Sequence, residues 1–93
     1  MNKETQLLQA AKLGNLQLVK TLIKEGVDIE AKTNDFGRTA LVLVVIHGYL
    51  SIAKFLVNNG ACIEATDENG HTCLELADGR RNVKMVQLLS ASN

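Results

Sequence analysis

The chain has 93 residues, enough for one small domain, and its ten basic residues balance ten acidic ones to a formal net charge of zero. Residues 1–33 carry five basic against four acidic side chains, residues 34–66 two against two and residues 67–93 three against four, so no basic stretch is set aside for phosphates. With 46% apolar but only 3% aromatic residues and no Trp, the composition supports a core but not base-stacking platforms. The longest apolar run, Ala40 to Ile46, is too short to span a bilayer, and Met1-Asn2-Lys3-Glu4-Thr5 opens no signal peptide. Two cysteines, Cys62 and Cys73, are too few to staple a secreted scaffold. The expectation is a neutral, cytoplasmic domain with neither a membrane nor a nucleic-acid partner.

In chain order, Leu7, Leu8, Ala10 and Ala11 line a short helix that stops at Gly14. Leu16, Val19, Leu22 and Ile23 form the apolar stripe of a second helix ending at Gly26. Val27 to Arg38 is polar and turn-rich, and Asn34-Asp35-Phe36-Gly37 places Gly where positive φ is cheap. Thr39 is an expected N-cap for the next segment, Leu41 to Ile46, whose β-branched residues taken alone suggest a buried strand. A helix from Leu50 to Leu56 follows, then the turn Asp67-Glu68-Asn69-Gly70, the N-cap Thr72, a helical Leu74 to Ala77 and a final helix from Val83 to Leu89.

These elements repeat. Gly37-Arg38-Thr39-Ala40-Leu41 returns as Gly70-His71-Thr72-Cys73-Leu74, an offset of 33. Gly14-Asn15-Leu16 returns as Gly48-Tyr49-Leu50, and Gly26-Val27-Asp28-Ile29-Glu30-Ala31 as Gly60-Ala61-Cys62-Ile63-Glu64-Ala65, both offset by 34. Register also decides the ambiguous segment. Leu41 to Ile46 occupies the position of two helical stretches, and strand propensity is worth only tenths of a kcal/mol per residue, so a helix is expected.

At these residues the chain resembles the ankyrin-repeat family, whose pattern it matches as Asp67-x-x-Gly70-x-Thr72-x-Leu74-x-x-Ala77, Val19-x-x-Leu22-Ile23 and Gly60-Ala61-x-Ile63-x-Ala65. The resemblance implies an all-α solenoid of stacked helix-turn-helix units joined by short β-turn or hairpin loops. It divides a single domain, residues 1–93, into repeats at about 2–33, 34–66 and 67–93. Departures from the pattern are Ala40 and Cys73 in place of Pro, Val42 and Glu75 in place of the loop-tying His, and Val44-Val45 or Ala77-Asp78 in place of Ala-Ala. They imply a stability in the lower half of the roughly 5–14 kcal/mol ordinary at this length. Polar Lys3, Glu4, Gln6, Gln9 and Lys12 at the front, and Lys84, Gln87, Ser90, Ser92 and Asn93 at the back, fit a complete small protein better than a slice of a longer array.

No arrangement for catalysis is expected. His47 lies at a helix end and His71 at a turn, neither set beside a nucleophile, and no Gly-rich phosphate loop is present. Gly79-Arg80-Arg81 reads as a solvated turn. Cys62, His71 and Cys73 lack the number and spacing of a structural zinc site and read as ordinary semi-buried thiols beside a loop histidine, so no metal or cofactor is expected.

The resemblance implies instead a monomeric, non-catalytic module that binds another protein on a concave face built from turn tips and first helices, as adaptor or inhibitor. Glu4 and Lys12 belong to that face in the first repeat. Asp35, Phe36, Arg38, Ile46 and His47 are the candidates in the second, and Glu68, Asn69, His71 and Arg80 in the third. Phe36 and Ile46 stand where the family varies and where solvent is expected, flanked by Arg and His, as at the centre of a binding patch. Two alternatives stand beside this reading: Phe36 folds back over Val42, or the chain is a structural stub of a larger array whose binding surface lies elsewhere.

Overall fold

Short polar side chains start most of the helices in the computed structural model, which describes residues 2–91. Asn2 Oδ1 accepts from Thr5 N at 2.7 Å ahead of α1 (Lys3–Leu13), and Asn15 Oδ1 accepts from Leu18 N at 3.1 Å ahead of α2 (Leu16–Lys24). Thr39 caps α3 (Ala40–His47) through Val42 N. Thr72 caps α5 (Cys73–Gly79) in a reciprocal box in which the Glu75 carboxylate accepts from Thr72 N at 3.0 Å. Asn82 Oδ1 accepts from Met85 N in α6 (Val83–Ala91). Each cap satisfies an N–H that the first helical turn leaves without an intrahelical partner. The start of α4 (Leu50–Asn58) has no such side chain, because Tyr49 occupies the capping position.

The helices form two layers. α1, α3 and α5 pack side by side as an inner layer, α2, α4 and α6 as an outer one, and each inner helix packs on the outer helix that follows it. Leu41 to Ile46 is helical, as repeat register requires. Its β-branched side chains are tolerated because Ala40, Leu41, Val42, Leu43, Val44 and Val45 are all 5% exposed or less. Fully burying such a side chain is worth about 1.5–3 kcal/mol, several times the local preference it overrides.

Between the layers' helix pairs the chain turns through single antiparallel bridges, Lys32 with Thr39 and Thr66 with Thr72, and no strand occurs among the described residues. Adjacent turns are tied to each other. Glu68 N donates to the Phe36 carbonyl at 2.8 Å, and Cys62 N donates to Glu30 Oε2 at 2.8 Å. These bonds join neighbouring repeats, although Val42 and Glu75 stand where the family has its loop-tying His. At the front end, Lys3 Nζ pairs with Glu25 at 3.0 Å. Ser92 and Asn93, expected at the polar back end, lie outside the described residues.

The bend between the two helices of a repeat needs a left-handed residue. Gly14 and Gly48 supply it at φ 77° and 76°. A Cβ on Gly14 would also lie 3.0 Å from the Tyr49 ring, whose hydroxyl donates to the Lys12 carbonyl at 3.4 Å. In the third repeat the same position holds Arg81, which at φ 55° is the one positive-φ residue other than glycine among the described residues.

Three variants check this account. Arg81→Gly removes a side-chain penalty of about 1–2 kcal/mol in the left-handed region and adds unfolded-state entropy worth about half of that, so the net gain is about 0.5–1 kcal/mol. The expected rise in the thermal midpoint is a few degrees, whereas Gly14→Ala, strained and crowded by Tyr49, lowers it. Val19→Ala, at a fully buried position of α2, costs about 2 kcal/mol by opening a cavity between stacked helices.

Candidate functional site

The turn from Lys32 to Arg38 projects beyond the inner helices and walls a groove of about 360 Å³ that runs between it, α1 and α3. The turn holds itself in shape. Arg38 N donates to Thr33 Oγ1 at 3.1 Å, Thr33 N donates to the Arg38 carbonyl at 2.9 Å, and Asp35 Oδ1 accepts from Phe36 N at 2.6 Å. The hydrogen bond from Thr33, then that from Phe36 N–H, holds the Asp35 carboxyl below its ordinary value of 3.8, with Arg38 adding a favourable charge. Asp35 is therefore an anion at neutral pH at the mouth of the groove.

Of the nine residues expected to bind, Asp35, Arg38, Ile46 and His47 line this groove together. Glu4 and Lys12 of α1 face them across it, so the first repeat's candidates join the same site. Ile46 is half-buried and packs against the core rather than standing free in solvent. His47, exposed at the end of α3, stacks its ring on Tyr49 at 5.4 Å and 16°.

Phe36 sits at the tip. It is 48% exposed and does not fold into the stack. Its ring lies under the Arg38 guanidinium, whose central carbon is 4.6 Å from the ring centroid. Arg38 Nε is buried and makes no hydrogen bond among the described residues. Glu68 meets Phe36 through the backbone bond between turn tips.

Asn69, His71 and Arg80 lie apart from the groove. Asn69 N and His71 N both donate to Asp67 Oδ1, at 2.9 and 3.0 Å, and the His71 ring nitrogen Nδ1 lies 3.4 Å from Asp67 Oδ2. The His71 backbone bond, with smaller help from Asn69 N–H and the His71 ring, holds the Asp67 carboxyl below its ordinary value of 3.8. Arg80 is exposed at the end of α5.

Leu8 and Leu43 form the apolar floor of the groove and were not among the candidates. The repeat alignment already holds a signal for Leu43, since it stands where the first repeat has the polar Gln9. A second groove, of about 480 Å³, lies on the outer layer between α2 and α4. At the end of the stack Leu74, 37% exposed, and Val86 line a shallow depression with Glu75, Asp78 and Ser90.

The two thiols differ more than a semi-buried pair would. Cys62 is exposed, whereas Cys73, at the start of the inner helix α5, is fully buried. Burial, with Cys62 and Glu30 adding repulsion, pushes the Cys73 thiol up to about 12. Among the described residues no three His, Cys, Asp or Glu side chains converge to hold a metal ion, and no helix is long and apolar enough to cross a membrane.

Comparison with known proteins places these features in context. The profile of a family described as ankyrin repeats (3 copies) matches residues 7–93. The chain is 36% identical over 72 residues to the mouse (Mus musculus) ankyrin repeat and SAM domain-containing protein 6, covering 77% of this chain and 8% of that protein. It is 38% identical over 72 residues to human protein phosphatase 1 regulatory subunit 27, covering 77% and 46%. It is 38% identical over 89 residues to 26S proteasome non-ATPase regulatory subunit 10 of Dictyostelium discoideum, covering 94% and 38%. The chain thus spans less than half the length of each of these relatives.

Cys73 and Asp67 each make stability depend on pH. The Cys73 pKa is raised on folding, so its contribution to stability is complete below the ordinary thiol value of 9.0 and is lost as pH rises towards about 12. The Asp67 pKa is lowered, so its contribution is present above 3.8 and is lost as pH falls through the folded value. Alkaline and acid denaturation followed by circular dichroism should show both limbs, and Asp67→Asn should flatten the acid one. A thiol reagent at mildly alkaline pH should modify Cys62 in the native protein and Cys73 only after unfolding.

Proposed function

The chain belongs to the ankyrin-repeat family, and we propose that it is a non-catalytic, cytoplasmic, monomeric module that binds a partner protein in the groove between the Lys32–Arg38 turn, α1 and α3. Ankyrin repeats generally mediate protein–protein interactions, and two of the relatives are regulatory subunits. The observation that carries the reading is the Phe36–Arg38 pair. A half-exposed aromatic ring, itself outside the groove, is topped by the guanidinium of Arg38, which does line the groove, together with a floor of Leu8, Leu43 and Ile46. Stacking of the repeats does not require that ring to be there.

An aromatic and an arginine beside an apolar floor are the residue types that anchor protein interfaces. Asp35, Glu4, Lys12 and His47 provide a polar rim that sets orientation and rejects mismatched partners. Glu68 and Asn69, with His71 and Arg80, extend this surface along the following turn and helix. The activity is to recruit the partner or to cover a surface it needs, as an adaptor or an inhibitor does, with no part for nucleic acid, membrane or cofactor. A second reading, that the chain is a structural segment of a longer array, draws on the partly apolar end face at Leu74 and Val86.

Affinity capture with the wild-type chain, repeated with variants, tests the proposal. Phe36→Ala or Ile46→Ala should weaken the captured partner's binding by about 2 kcal/mol, as loss of an interface anchor does. Phe36→Ala should change folding stability by less than about 1 kcal/mol, because its ring is already half in water. If Phe36→Ala lowers the unfolding midpoint as far as Val19→Ala and leaves the partner bound, the ring is a packing residue and the proposed patch loses its centre.

A further inference from the structure

The outer layer has a charge pattern of its own. α2, α4 and α6 hold Lys20, Lys24, Lys54 and Lys84 and not one Asp or Glu, in a chain whose net charge is zero. All ten acidic residues lie on α1, α5 and the connecting segments. The four lysines are exposed, and none is ion-paired among the described residues. Glu25, which follows α2 directly, is already engaged by Lys3 at 3.0 Å. Segregation of one sign of charge onto one face creates a local field that a neutral total conceals.

Within this basic face lies the outer groove of about 480 Å³. Lys20 and Lys24 stand along its α2 side, and half-buried Ile23 and Phe55 give it an apolar lining, with Lys20 Nζ 5.9 Å from the Phe55 ring centroid. We propose that this groove is a second docking surface, independent of the concave one, for an extended acidic protein segment that carries one aliphatic or aromatic side chain between two carboxylates. Lys20 and Lys24 are one helical turn apart, about 6 Å along the axis. Carboxylates at i and i+2 of an extended segment are spaced about 6–7 Å and face the lysines, while the side chain between them points the other way, towards Phe55 on α4. A bilayer fits less well. Membrane insertion needs projecting apolar side chains, and those of this groove, Ile23 and Phe55, are half-buried between two helices.

The test uses a short Glu-rich peptide with a central Asp-Phe-Glu and, separately, vesicles containing phosphatidylserine. With isotope-labelled protein, saturable amide shifts are expected on α2 and α4, and affinity should fall as salt rises from ~50 to ~150 mM. Lys20→Gln with Lys24→Gln should weaken peptide binding about tenfold, and replacing the peptide's Phe by Ser should do about the same. Lys12→Gln with Lys32→Gln, in the concave groove, should leave it unchanged, and circular dichroism should show all variants folded. Failure to bind at ~50 mM salt, shifts centred on α1 and α3, or equal losses for the two lysine pairs would each overturn the proposal. Vesicle binding without a peptide response would assign the basic face to a membrane instead.

Discussion

No helix pair in this chain can bury its own apolar surface, and the rest of the structure follows from that constraint. α3 meets α1 on one side, α5 on the other and α4 behind. Six consecutive residues of α3 are thereby withdrawn from water, an arrangement that one amphipathic helix on a two-layer surface does not need. Because burial comes from neighbours, stability is a sum of interfaces between repeats, and a weakness in one repeat is felt by the next. The same logic explains why a strand-like sequence is helical here: the only way to cover it is in the register its neighbours set.

Stacking fixes the spacing of the turns, and the turns then tie the stack. The helix-to-helix bend recurs three times with a left-handed residue at the same repeat position, yet its surroundings differ. Gly14 leaves room for Tyr49, which gives up the capping role that Asn15 and Asn82 play and reaches across to the Lys12 carbonyl instead. Arg81 holds the same bend with a side chain attached. Asp67, almost fully covered, organises the third turn by accepting two backbone N–H groups, and it can stay ionised there because those donors replace its water. Candidate side chains such as Asp35 and Arg38 are hung on this frame, so their positions are set by the turns that carry them.

The two layers divide the surface chemically. The inner layer and its turns mix both signs of charge around an apolar floor, suited to selecting one partner by shape and pairing. The outer helices offer one sign only, with an apolar groove between α2 and α4. If both proposals hold, one protein would sit on the inner face while a second approaches from behind, and the two grooves share no lining residue.

The sequence by itself determined the class of structure. Offsets of 33 and 34 are properties of spacing, and spacing determines which residues recur at the same place in a stack whatever the local propensity. Thr39 and Thr72 as helix starts and Gly14 as a stop were legible for the same reason, since caps act over three or four residues. What lay beyond it was the side-chain environment. Ile46 is half-buried against the core, and Cys73 is sealed while Cys62 is open. Asp35, Arg38, Ile46 and His47 share a groove while Asn69, His71 and Arg80 do not, although all seven sit at turn or helix-end positions in the repeat. Only the tertiary structure decides such questions, because a repeat position specifies a direction relative to its own helix, whereas burial and grouping depend on which residues of the neighbouring repeats stand opposite.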